Sequence, residues 1–67
     1  MAKFEEALMA MRAGKIIGRP SSFKKYELKG RTIKSFFYTV GGTKDYRDEE
    51  VIFNSNDIMA EDWVVQE

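Results

Sequence analysis

The stretch TIKSFFYTV, residues 32–40, puts large apolar groups on both sides of any strand it forms. Side chains alternate across a strand. Ile33, Ser35, Phe37 and Thr39 therefore share one face, and Lys34, Phe36, Tyr38 and Val40 the other. Beta-branched and aromatic residues dominate, which favours a strand. A sheet with one wetted face would alternate more cleanly between apolar and polar. One face is expected to pack on a helix, with Phe37 in the core together with Leu8. The other face is expected to meet a subunit or a ligand, through at least one of Phe23, Phe36 and Tyr38.

Length sharpens this constraint. The 67 residues make one domain, 1–67, with no repeat, linker or low-complexity segment. A domain of this size buries only about 60% of the surface its unfolded chain exposes. Small domains compensate with disulfides, metals or partner subunits. The chain has no cysteine and no histidine. That removes disulfides, thiolate sites and the commonest zinc ligand and general base. A well-packed core or self-association remains.

The rest of the chain supplies a second layer. KFEEALMAMRAGK, residues 3–15, places Phe4, Ala7, Leu8 and Met11 on one stripe of a helix, with Met9 off it. Gly14 suits the helix C-terminus. KIIGR reads as a short strand ending near Pro20, and FKKYELK as the next, with Phe23, Tyr26 and Leu28 as its apolar members. Gly30 offers a hairpin turn, and Gly41-Gly42 another. A strand is expected at Val51-Ile52-Phe53, a short turn IMAE capped by Asp57, and a last strand in DWVV. One helix on a meander of about five antiparallel strands is the simplest two-layer solution. The expected fold class is α+β.

Charge narrows the function. Lys and Arg number 11, matching 11 Asp and Glu. This balance lacks the basic footprint of a DNA binder. The signs are segregated, however, with residues 15–34 mainly basic and 45–67 mainly acidic. Such asymmetry steers anions to one surface or joins unlike faces of neighbouring subunits. No apolar run approaches the roughly 18 residues of a membrane span. The opening MAKFEEALMA carries acids within its apolar stretch, unlike a signal peptide, so a cytoplasmic location is expected.

Catalytic patterns are missing. Asp48-Glu49-Glu50 and Glu61-Asp62 read as solvated acids, and Ser and Thr have no histidine to activate them. Asn54 to Asp57 is oxygen-rich but lacks the spacing of a calcium loop, so no metal or cofactor is expected. Binding fits better. Flat rings stack on nucleobases while Arg or Lys neutralises phosphate, and Arg19, Lys24, Lys25 and Arg31 offer that charge.

Two segments resemble a known family. FEEALMAMRAGKIIGR near the start and FNSNDIMAEDWVV near the end are similar to members of the Thoeris anti-defence protein 2 family, small phage proteins that soak up immune signalling nucleotides. The run Ala60-Glu61-Asp62-Trp63 is the more specific of the two matches. Family members place a tryptophan a few residues after the arginine at position 19. Here the segment is PSSF, and Phe23 is its nearest substitute.

The resemblance implies a homo-oligomer, with a tetramer favoured and a dimer possible, and ligand pockets between protomers. It implies binding without cleavage, hence no enzyme. Phe4 and Phe23 are expected to stack on the ligand, Arg19 to hold phosphate, and Ser55, Asn56 and Asp57 to hydrogen-bond ribose or base. The ligand is expected to be a cyclic ADP-ribose isomer or a cyclic oligonucleotide, and the setting an infected bacterial cell. The alternative is a small module that binds a host or phage protein directly. Trp63 is expected to root the last strand against Phe4, Leu8 and Met11.

Overall fold

The apolar stripe at the start of the chain folds as α1, Phe4–Arg12, in the computed structural model, which describes residues 2–66. Phe4, Ala7 and Met11 are buried and Leu8 packs against them, while Met9 is exposed. Glu5 and Glu6 lie in the first turn, where carboxylates suit the positive end of the helix dipole. Gly14 ends the helix at φ +92°, a conformation that side chains with a Cβ avoid. Its N–H bonds the Met11 carbonyl at 3.0 Å, and the Lys15 N–H bonds that of Ala10 at 3.0 Å. This paired closure turns the chain directly into the first strand.

Five strands follow: β1 Ile16–Gly18, β2 Lys25–Lys29, β3 Thr32–Tyr38, β4 Lys44–Tyr46 and β5 Val64–Gln66. They form one sheet in the order β4-β3-β2-β1-β5, with every pairing antiparallel. Gly30-Arg31 makes a two-residue hairpin between Lys29 and Thr32. The β3–β4 turn closes through the Thr39 N–H and the Thr43 carbonyl at 2.8 Å. A short helix, α2 Ser55–Met59, precedes β5. Before β5 begins, Trp63 exchanges two backbone bonds with Ala2, at 2.8 and 3.0 Å. The α+β architecture is thus a helix on an antiparallel sheet. Among the described residues, no helix is long and apolar enough to cross a membrane.

Register assigns the two faces. Ile17, Tyr26 and Ser35 align across β1, β2 and β3, and Val65 lies beside Ile17. Ile17, Tyr26 and Val65 pack in the core cluster with α1. By alternation, Gly18, Lys25, Phe36, Tyr46 and Val64 occupy the opposite face.

Four expectations are corrected. Phe37 is only partly buried, and it is Phe36, on the face away from α1, that is wholly buried. The nine-residue α1 lies over β1, β2 and β5 and does not reach β3. Phe37 is covered instead by the Arg47 guanidinium, 5.2 Å from its ring. Phe36 is roofed by Tyr38 and Tyr46, with ring centroids at 5.4 and 5.5 Å, and by the Lys44 ammonium at 5.2 Å.

Val51-Ile52-Phe53 is not a strand. The β3 ladder is taken by Lys44–Tyr46 and ends where the Arg47 N–H bonds the Ser35 carbonyl. The chain then leaves the sheet to insert Phe53 beside Phe4, 5.1 Å away, and Tyr26, 5.0 Å away. Phe23 falls outside β2, and its side chain is 88% exposed. Asp57 is not the cap of the turn before Trp63. Asn54 is the N-cap of α2, accepting from the Asp57 N–H at 3.0 Å, and Asp57 returns a bond to the Asn54 N–H at 3.2 Å.

Candidate functional site

Trp63 anchors the centre of the molecule with no exposed surface. Its ring lies 5.5 Å from Phe4, 5.9 Å from Phe53 and 6.1 Å from Tyr26. Met11 belongs to the same buried cluster and Leu8 packs on it, as the helix stripe requires. The indole N–H donates to the Asp57 carbonyl at 2.9 Å, so this buried polar tip is satisfied by α2.

Arg19 leaves β1 directly above this cluster. Pro20 follows it and supplies no N–H to extend the ladder. The Arg19 Nε donates to Asp62 Oδ1 at 3.0 Å and its Nη2 to Asp62 Oδ2 at 3.4 Å. Nη1 donates to Asp57 Oδ1 at 3.3 Å. The guanidinium carbon lies 5.9 Å from the Trp63 ring. A planar fork suits this arrangement, because it can meet both oxygens of one carboxylate and still reach a second. The bond to Asp62, against a smaller opposing effect of burial, holds the Arg19 guanidinium above its usual pKa.

The expected site residues therefore separate. Arg19 and Asp57 are brought into contact. Phe4 is 8% exposed, and its ring meets Phe53 and Trp63. Ser55 and Asn56 open α2 with exposed side chains. Phe23 stands clear in solvent. Asp62 completes the Arg19 clamp and was not among the expected residues. Its signal lay in the run Ala60-Glu61-Asp62-Trp63, where the tryptophan fixes the backbone and the acid faces the arginine.

As arranged, the clamp is electrostatically closed. Two carboxylates surround one guanidinium, so an arriving phosphate must displace one of them. Beside it, at the β5 edge, Ala2, Trp63, Val64 and Val65 line an open cavity of about 390 Å³. Among the described residues, no acidic cluster is arranged to hold a metal ion.

Elsewhere the polar contacts are structural. Glu27 accepts from Lys44 at 3.1 Å and from the Tyr46 hydroxyl. Burial pushes its carboxyl up, but the bonds from Tyr46 and Lys44 together outweigh that and hold it below the usual range. Glu49 accepts from Lys24 at 2.9 Å, which lowers its carboxyl pKa and ties residues 47–53 across β2 and β3. No family model matches the chain, and no curated protein or solved structure shows a significant match to it.

Proposed function

We infer that the protein is a phage anti-defence sponge. It binds a nucleotide-derived immune signal, a cyclic ADP-ribose isomer or a cyclic oligonucleotide, and sequesters it without cleavage. It works as a homo-oligomer in the cytoplasm of an infected bacterial cell. The observation that carries this reading is the meeting of the two segments that resemble the sponge family. Arg19, from the first, is clamped to Asp57 and Asp62, from the second. Sequence elements far apart in the chain thus build one unit around Trp63.

Surface composition supports the oligomeric part of the reading. Phe23, Ile52 and Met59 are 88%, 75% and 79% exposed on a single chain. An apposed protomer would cover such groups and close a crevice. In that crevice Phe23 stacks on the base, and Ser55 and Asn56 hydrogen-bond ribose or base. Arg19 reaches phosphate by exchanging the Asp57 carboxylate, and Phe4 backs the wall through Trp63.

Melting with a panel of cyclic ADP-ribose isomers and cyclic oligonucleotides tests the reading. A ligand at about 100 times its Kd stabilises the folded state by about 2.7 kcal/mol. At least one member of the panel should raise Tm. No shift with any of them, well above the protein concentration, contradicts the inference.

A second reading, direct binding of a host or phage protein, draws on the same exposed side chains. A stoichiometric host partner in a pull-down from infected cells, together with a flat nucleotide panel, would favour it.

A further inference from the structure

At the far end of β2 from the Arg19 clamp, Lys29, Lys34, Tyr46, Arg47 and Asp48 line a cavity of about 310 Å³. Its lining sets three cations against one carboxylate. Register explains why Lys34, among the described residues, is left without a cross-strand carboxylate. Lys34 on β3 faces Glu27 on β2, which is the position of a natural cross-strand ion pair. Glu27 is already taken from the other side, by the Lys44 ammonium and the Tyr46 hydroxyl of β4. Among the described residues, Lys34 and Lys29 make no ion pair.

The remaining lining cations rest on aromatic rings. The Lys29 ammonium rests 4.4 Å from the centre of the Tyr46 ring. That ring is fixed by its hydroxyl bond to Glu27 and by its contact with Phe36. Arg47 is braced on the Phe37 ring, and its ion pair with Asp45 at 3.7 Å is exposed and weak.

We propose that this cavity is a binding site for a phosphate-type polyanion, either free pyrophosphate or the diphosphate end of a small nucleotide. A guanidinium meets two phosphate oxygens with its planar fork, and the two ammonium groups add point charges. The Tyr46 ring gives the cavity one flat apolar wall. The volume lies at the small end of ligand pockets, which suits a compact phosphorylated molecule. The site stands apart from the sponge reading, which concerns the crevice around Arg19 and Phe23.

The test is calorimetric titration of the full chain at about 0.1 M ionic strength, where the Debye length is about 10 Å, with inorganic pyrophosphate and, separately, with ADP. Saturable binding of one ligand per chain is expected. Lys34→Met and Arg47→Ala should each weaken it about tenfold or more, the usual worth of a charge-assisted hydrogen bond. Lys3→Met removes the same charge far from the cavity and should leave the affinity within about twofold. Melting curves establish that each variant is folded. Tighter binding of ADP than of pyrophosphate assigns a nucleotide, and equal binding assigns the free anion; both support the site. No saturable binding of either probe would overturn it, as would equal loss in Lys3→Met or binding confined to single-stranded oligonucleotides. None of these results touches the cyclic-nucleotide melting assay, so the two ideas fail separately.

Discussion

The guanidinium of Arg19 grips both carboxylate oxygens of Asp62, which lies 43 positions further along the chain. That contact fastens the end of β1 to the entry of β5, and Asp57 adds α2 to the same knot. A double-mutant cycle of Arg19→Ala and Asp62→Ala should show coupling. Each single change lowers Tm, and the pair together lowers it by less than the sum of the two. Arg19→Lys should also lower Tm, because an ammonium cannot reproduce the fork. Strict additivity in the cycle would mean that the two side chains do not cooperate in solution.

The face of β3 that points away from α1 should matter more to stability than the face that points toward it. Phe36→Ala is expected to cost about 3–5 kcal/mol, as for a fully buried aromatic. Phe37→Ala, half covered by Arg47, should cost about 1–2 kcal/mol. Urea unfolding monitored by Trp63 fluorescence gives both values. A larger loss at Phe37 would reverse the assignment of the faces.

Gly14→Ala should destabilise the chain by about 1–2 kcal/mol, because it forces a Cβ into the left-handed region at the end of α1. Gly41→Ala is the control. Gly41 has no positive φ, and a Cβ there meets nothing nearer than the Thr39 hydroxyl at 3.9 Å. Its midpoint in urea should match or slightly exceed that of the parent.

Acid should weaken the fold through Glu27. Its carboxyl pKa is held down in the folded chain by Tyr46 and Lys44 against the effect of burial. The unfolded chain therefore takes up the proton first. The stabilisation is present above the ordinary carboxylate range, about pH 4.3, and is lost as pH falls through the depressed folded value. Glu27→Gln should be less stable than the parent at pH 7, and its stability should fall less steeply between about pH 5 and pH 2. Glu49, held down by Lys24, keeps part of that slope in both proteins. Parallel curves for parent and variant would show that Glu27 does not carry the effect.

Local signals made some of this structure readable in the sequence. The stripe of α1 follows from its period, and Gly14 and Gly30 mark turns that the backbone takes at φ +92° and +64°. Alternation sorted Phe36 from Phe37 onto opposite faces. It could not say which face meets α1, because both are apolar and the answer depends on how far nine helical residues reach. The strand Lys44–Tyr46 was hidden because all three of its residues are exposed. Ladder bonds to β3 and the contact of Tyr46 with Phe36 create it, and neither shows in the local sequence. Val51 to Phe53 has strand-forming side chains, yet Phe53 stabilises the fold more by entering the core. At the candidate site, Arg19 and Asp57 were each legible as polar groups. Their mutual contact was not, since it depends on Trp63 drawing α2 and β5 under the end of β1.

Sequestration without cleavage is tested most directly by depletion and release. The protein is incubated with a cyclic ADP-ribose isomer or cyclic oligonucleotide that shifts its Tm, and the free ligand is measured by chromatography before and after heat denaturation. Free ligand is expected to fall in proportion to protein, then to return in full, chemically unchanged, once the chain unfolds. Recovery of a linear or hydrolysed product, or no loss before heating, would contradict sequestration without cleavage.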